Sequence, residues 1–196
     1  MRLYFNKHTR ATRPRWLLEE TGLACEIVNV DLAAGEHKRP EFLAVHPLGK
    51  VPALRDGDTT IMESGAITLY LADRTSLAPA PNTPARAVYY QWAFYAVTQL
   101  ETPVGRYFQE HRKPEAERDV SVLAASRAEF ETMCAPLSGA LAGRSWLVED
   151  TFTAADVLVG SILAWARALG VLPEDATLAA YVDRCVARPA FKRARA

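Results

Sequence analysis

The stretch His46-Pro47-Leu48-Gly49-Lys50-Val51-Pro52-Ala53-Leu54, with Glu63-Ser64-Gly65 shortly after it, holds the residues whose types and order could do chemistry. Pro52 stands among apolar residues of strand character, and proline cannot donate to a sheet ladder. The position needs either an edge location or an unusual backbone, and a cis Val51-Pro52 bond in a tight turn answers the second requirement. A cis turn at a strand entrance leaves the N–H and C=O of Val51 facing outward. There they can pair with an extended peptide-like ligand as a short added strand. The chemistry would be peptide recognition, with an ordinary X-Pro turn as the alternative.

The elements around this stretch follow from pattern. Arg2-Leu3-Tyr4-Phe5 reads as a buried first strand. A polar loop, Asn6 to Arg13, leads to a helical pattern that begins at Pro14, runs through Trp16, Leu17, Leu18 and Glu20, and stops at Gly22. Glu26 to Leu32 alternates as a second strand, which should lie parallel to the first across the helix. Val51 to Leu54 is a third strand, joined through the turn signal Asp56-Gly57-Asp58 to a fourth at Thr59 to Met62. Ser64 opens a helix bearing Ile67, Leu69, Tyr70 and Leu71.

Three prolines between Ser76 and Pro84 mark an extended linker, so the expected division is 1–75, a linker 76–84, and 85–196. Beyond the linker the strand pattern vanishes. Helices are expected at Ala85 to about Leu100, Glu115 to about Leu141, Ala154 to Leu169 and Leu178 to Val186, with a kink or break at Pro136. Thr153-Ala154-Ala155-Asp156 resembles a capping box with Asp in place of Glu, and the nearly all-apolar helix after it should be the buried centre of the second domain.

Composition bounds the function. The chain has 196 residues, 49% hydrophobic and 23% charged, with 23 Lys plus Arg against 23 Asp plus Glu. That balance gives no overall field for nucleic acid or an anionic membrane, and no apolar run approaches the ~20 residues of a membrane span. A cytoplasmic location is expected. Cys25, Cys134 and Cys185 are far apart and lack any C-x-x-C, so neither a disulfide framework nor a metal site is indicated.

Five short motifs stand in order along the chain: Trp16-Leu17-Leu18-Glu19-Glu20-Thr21-Gly22, His46 to Leu54, Glu63-Ser64-Gly65-Ala66-Ile67, Thr153-Ala154-Ala155-Asp156, and Arg188-Pro189-Ala190-Phe191. In their order and spacing they resemble the cytosolic glutathione transferase family, of bacterial type and with a serine/threonine-like active loop. The resemblance spans the chain. It implies a thioredoxin-like α/β N-terminal domain, an all-α C-terminal domain, a homodimer, and glutathione as the co-substrate.

The residues suit that ligand, a γ-linked tripeptide with two carboxylates, one ammonium and a thiol. Val51, entered through Pro52, would pair its backbone. Glu63 and Ser64 lie at a helix N-terminus, where free N–H groups and the positive dipole end suit the γ-glutamyl carboxylate; Ser64 adds a donor, and Glu63 would balance the ammonium. A simple N-cap is the alternative for this pair. Lys50, Lys38 and His37 are candidates for the glycyl carboxylate or else solvated surface charges.

The resemblance places thiol activation in the loop after the first strand. A free thiol near its reference pKa of about 8.5 needs roughly 2.7 kcal/mol of preferential anion stabilisation to fall by about two units. A hydroxyl hydrogen bond to a charged acceptor, at about 1.5–3 kcal/mol, supplies much of this. The loop has Thr9 and Thr12 but no cysteine, serine or tyrosine, so Thr9 is the candidate hydroxyl and Arg10 the adjoining cation. Thr9 could instead cap the helix start. Residues 1 to 15 carry Arg2, Lys7, Arg10, Arg13 and Arg15 and no acid, which would favour a thiolate or else form a solvated or internally paired face.

For the second substrate the resemblance points to the first helices of the helical domain, where Tyr95, Arg106, Tyr107 and Phe108 suit a small apolar electrophile or, alternatively, belong to the core. The expected activity is conjugation of the glutathione thiolate to an electrophile, or reduction of a peroxide. A binding or interaction protein of the same fold without turnover is the alternative. Glutathione-dependent disulfide exchange is disfavoured, because no cysteine lies in the active loop.

Overall fold

Strand β1 (Arg2–Phe5) buries Leu3 completely and lies inside a four-stranded sheet of order β2-β1-β3-β4. It runs parallel to β2 (Glu26–Asn29), with Leu3 opposite Ile27, and antiparallel to β3 (Ala53–Asp56), with Leu3 opposite Leu54. Strand β4 (Thr59–Ile61) pairs antiparallel with β3. A parallel pair needs a crossover, and helix α1 (Thr12–Thr21) supplies it. Gly22 ends α1 at φ 68°, returning its N–H to the Leu18 carbonyl from a left-handed conformation that glycine adopts without a Cβ penalty. In this computed structural model, which describes residues 1–196, strand β3 begins two residues later than the pattern suggested, because Pro52 cannot enter the ladder.

Helix α2 (Pro40–Leu43) is a short turn before the β3 entrance, and α3 (Ser64–Ala72) follows β4. Helices α1 and α3 pack together, burying Trp16, Leu17 and Leu18 on one and Ile67, Leu71 and Ala72 on the other. The end of the chain joins this unit. Phe191 of α9 (Pro189–Arg193) sets its ring edge-on to Trp16 at 4.9 Å. Arg188 forks onto both oxygens of Glu20 at 2.5 and 2.8 Å, and Arg193 reaches the carboxylate and carbonyl of Glu19 at 2.7 and 2.9 Å. Such forked pairs fix geometry as well as charge. One unit is therefore Met1–Ala78 with Ala187–Ala196, and the other is Pro79–Val186; the sequence reading had placed the last ten residues with the helical part.

The second unit is helical throughout. Helix α4 (Pro84–Tyr95), capped by Thr83, passes through a wide π-type turn at Ala96–Leu100 into α5 (Glu101–His111). Sequence pattern did not anticipate α5. Pro103 lacks the N–H that would serve the Gln99 carbonyl, and the register changes just before it. Helix α6 (Val120–Leu141) starts at an Asp119 cap rather than at Glu115, which lies in a separate 3-10 turn. Pro136 does not break α6. It sits on an exposed face, while Phe130, Cys134, Leu137 and Leu141 bury the opposite face on both sides of it.

Helix α7 (Ala154–Ala168) is buried along most of its length, and α8 (Ala176–Ala187) packs Tyr181 and Cys185 beside it in the core. Asp156, wholly buried, accepts from the Thr153 N–H (2.9 Å) and hydroxyl (3.1 Å), the Leu147 N–H (3.2 Å) and the Tyr181 hydroxyl (2.9 Å). Burial nevertheless wins and pushes its carboxyl up to about 6, against the lowering effect of these donors. None of the three cysteines is in a disulfide, and no helix is long and apolar enough to cross a membrane.

Candidate functional site

The Val51-Pro52 bond is cis. Pro52 is buried, and the β3 ladder opens at Ala53 opposite Tyr4, so Val51 stands half-buried just outside the sheet pairing. The turn before it is held from His46: the His46 carbonyl accepts the Gly49 N–H at 2.7 Å, and His46 Nδ1 accepts the Leu48 N–H at 3.3 Å. Burial lowers the His46 pKa below its ordinary value; Glu63 opposes this effect and Lys50 adds to it.

Gly49 has φ 59°, and a Cβ there would collide with the His37 carbonyl oxygen. Only glycine permits this approach. It sets the 3-10 turn Glu36–Lys38 against the loop, so the backbone of His37 lies beside that of Gly49, next to Lys50 in the chain. His37 Nδ1 is buried and has no hydrogen-bond partner in the chain. Lys38 and Lys50 are exposed.

At the start of α3 the ordinary capping explanation does not hold. Glu63 occupies the N-cap at φ 70°, a conformation uncommon for a non-glycine residue, and its side chain makes no capping bond. Ser64 lies inside the helix and is buried; its Oγ receives Arg13 Nη1 at 3.2 Å, and its carbonyl accepts from Thr68 Oγ1 at 2.7 Å. The first N–H groups of a helix have no partner within it. At α3 these amides and the Ser64 hydroxyl lie in the first turn, directly after Glu63 at the N-cap.

The loop before α1 closes on itself. Thr9 Oγ1 donates to the Asn6 carbonyl at 2.6 Å and accepts the Ala11 N–H at 3.2 Å. Thr12 Oγ1 donates to the Thr9 carbonyl at 3.0 Å. Both hydroxyls thus bond to loop backbone, and α1 itself has Ala11 at its N-cap with no side-chain capping bond. Arg10 is exposed next to them. Sequence reasoning counted Arg13 only as part of a basic run. The signal that it differs is its place: a cation in the first turn of α1, with no acid there, opposes the helix dipole.

In the second unit the four proposed substrate residues do not share a face. Tyr95 donates its hydroxyl to the Met133 carbonyl at 2.8 Å, and Arg106 pairs with Glu129 at 2.7 Å. Tyr107 is buried and stacked on His111, with Arg127 over its ring, while Phe108 sets its ring edge-on to Trp165 at 5.5 Å. Consecutive helical residues point about 100° apart, so Arg106, Tyr107 and Phe108 are divided among neighbours. No three His, Cys, Asp or Glu side chains are grouped to hold a metal ion.

Residues 1–73 match the family model described as "Glutathione S-transferase, N-terminal domain", and residues 91–189 match "Glutathione S-transferase, C-terminal domain". The chain is 31% identical over 202 residues to the disulfide-bond oxidoreductase YfcG of Escherichia coli, covering 98% of this chain and 93% of the relative. Among solved structures, a glutathione transferase family member from Pseudomonas fluorescens with two glutathione molecules bound superposes with a TM-score of 0.90 at 26% identity, covering 99% of this chain and 91% of that one. The glutathione transferase URE2P8 from Phanerochaete chrysosporium, with oxidized glutathione, gives 0.86 at 28% identity, covering 98% and 92%.

Proposed function

This chain belongs to the cytosolic glutathione transferase family, and from that premise we propose that it binds glutathione at the β3 entrance and the α3 N-terminus and directs the thiolate at a small electrophile or a peroxide. The observation that carries this reading is the pair Glu63-Ser64. Neither side chain performs the capping that such residues ordinarily perform, and both stand where an α-amino acid head would need an anion and a donor. Val51 pairs the cysteinyl backbone, shaped by Pro52. Ser64 and the α3 amides take the γ-glutamyl carboxylate, and Glu63 balances the ammonium. Lys50, Lys38 and His37 take the glycyl carboxylate, the last through its otherwise unpartnered Nδ1.

For the thiolate, we assign the electrostatic role to Arg10 and the loop-forming role to Thr9, whose hydroxyl proton is engaged by Asn6. A guanidinium within about 4–6 Å of the sulfur favours its ionised form. The sulfur then forms the new bond to carbon, and the leaving group departs with the bonding pair. With an organic hydroperoxide, the thiolate attacks the terminal oxygen, the O–O bond breaks and the alkoxide leaves as the alcohol after taking a proton; a second glutathione thiol then attacks the sulfenic acid, forming the disulfide and releasing water. For a small apolar electrophile the candidates in the second unit remain Tyr95, Arg106, Tyr107 and Phe108, taken singly rather than as one face.

A second reading is favoured by the name of the Escherichia coli relative and by the oxidized ligand of the Phanerochaete chrysosporium structure. Glutathione carries its own thiol, so disulfide exchange needs no cysteine in the loop: the glutathione thiolate attacks a disulfide, releases one thiolate, and a second glutathione releases the other. Initial rates with an aryl halide, an organic hydroperoxide and 2-hydroxyethyl disulfide separate the readings. Turnover of the first or second supports the transferase reading, and turnover of the disulfide alone supports the exchange reading. Saturable glutathione binding without any product would identify a binding protein.

We further propose a homodimer and a reducing, cytoplasmic setting. Tyr90 and Phe94 stand 41% and 61% exposed one turn apart on α4, an apolar stripe suited to a second copy. Three cysteines, none of them in a disulfide, fit a reducing compartment.

A further inference from the structure

A guanidinium that is 4% exposed, in the first turn of a helix without an acid, is not placed there for the helix. Its neighbours sharpen the question. Arg15 turns away to pair with Glu19, whereas Arg13 points inward to Ser64 of α3, 51 residues along the chain. A second guanidinium, Arg195, lies over the Phe191 ring at 4.4 Å, and its charge and that of Arg13 repel. Two like charges brought together serve packing poorly and an anion well.

We propose that Arg13 is a positioning residue for the carboxylate bound by Ser64: by donating from Nη1 to Ser64 Oγ across 3.2 Å, it aims the Ser64 hydroxyl proton and the first α3 amides at one anion. Arginine has no acceptor, so the Ser64 proton cannot turn back toward it. The Oγ lone pair is occupied by a cation, and the O–H is left as a polarised donor. An Arg13 that merely tied α1 to α3 would affect every ligand alike. An Arg13 that orients Ser64 affects only ligands with a carboxylate at that end. This rests on the assignment of Ser64 to the γ-glutamyl carboxylate.

The test compares the Kd of glutathione with that of 4-aminobutanoyl-cysteinyl-glycine, which lacks only the γ-glutamyl α-carboxylate. Wild type should bind the analogue about tenfold or more weakly than glutathione, the scale of one charge-assisted bond. Arg13→Met should weaken glutathione about tenfold and leave the analogue unchanged, so the ratio between the two ligands falls toward one. The kcat at saturating glutathione should change less than about threefold, and the double variant Arg13→Met, Ser64→Ala should bind glutathione no more weakly than Ser64→Ala alone. An Arg13→Met protein that weakens both ligands equally overturns the proposal. Should that variant fail to fold, Arg13→Lys serves: a smaller ratio than wild type supports the role, and an unchanged ratio overturns it. A wild type that binds both ligands equally would instead overturn the assignment of Ser64, while an absence of glutathione binding would overturn the proposed function.

Discussion

Thr9 Oγ1 lies 2.6 Å from the carbonyl oxygen of Asn6 and donates its proton to it, and on the proposed assignment Thr9 therefore shapes the loop while Arg10 acts on the sulfur. Replacing Thr9 with alanine should therefore lower kcat/KM for an aryl halide less than about fivefold. Arg10→Leu should lower it about tenfold or more and move the ascending limb of its pH profile to higher pH, as a weaker stabiliser of the thiolate requires. Thr9→Ala producing the larger loss, with a raised thiol pKa, would return the activating role to the hydroxyl.

Gly49→Ala places a Cβ against the His37 carbonyl at a residue with φ 59°. Something must shift, and what shifts carries His37, Lys38, Lys50 and Val51. The expected outcome is a loss of about 1–3 kcal/mol in urea unfolding together with a raised KM for glutathione. A variant with wild-type stability and KM would show that the close approach is not needed.

Asp156 gives a pH signature with a definite sign. Its folded-state pKa of about 6 exceeds its ordinary 3.8, so the folded protein binds the extra proton between those values. Its contribution is fully present below about pH 4 and is lost as pH rises through about 6, a change on the order of 3 kcal/mol. Glu110, lowered by the Asp119 N–H and Lys113, and Asp119 and Asp175, also lowered, act in the opposite direction. The difference in unfolding free energy between wild type and Asp156→Asn isolates the term. That difference should vary between pH 4 and 6 and be flat above about 7; a flat difference throughout would show that Asp156 titrates normally.

Phe94→Glu introduces a charge into the exposed α4 stripe. Sedimentation should show wild type at twice the chain mass and the variant at the chain mass, since an uncompensated charge in a subunit contact is costly. A monomeric wild type would remove the dimer.

How far these features were legible depends on how local their causes are. Gly22, Asp56-Gly57-Asp58 and Val51-Pro52 act through backbone geometry within a few residues, and with the strand pattern they carried the parallel pair of β1 and β2 and the hairpin of β3 and β4, but not the antiparallel pairing of β1 with β3. Helix α5 was missed because Pro103 and Gly105 interrupt its pattern, while Pro136 was given more weight than an exposed proline between two well-packed turns carries. The bond from Arg13 to Ser64 and the fork from Arg188 to Glu20, 168 residues apart, depend on packing that no local pattern encodes. Arg106, Tyr107 and Phe108 looked like a set because they adjoin in sequence, and helical geometry sends them to different neighbours.

The central claim, that glutathione is held through the start of α3, is tested most directly by calorimetric titration of glutathione into wild type and Ser64→Ala. The account predicts saturable binding of one glutathione per chain in wild type and a Kd raised about 10–100-fold in the variant, the equivalent of one hydrogen bond to a charged group. Equal affinity in the two proteins, or no binding to wild type, would contradict it.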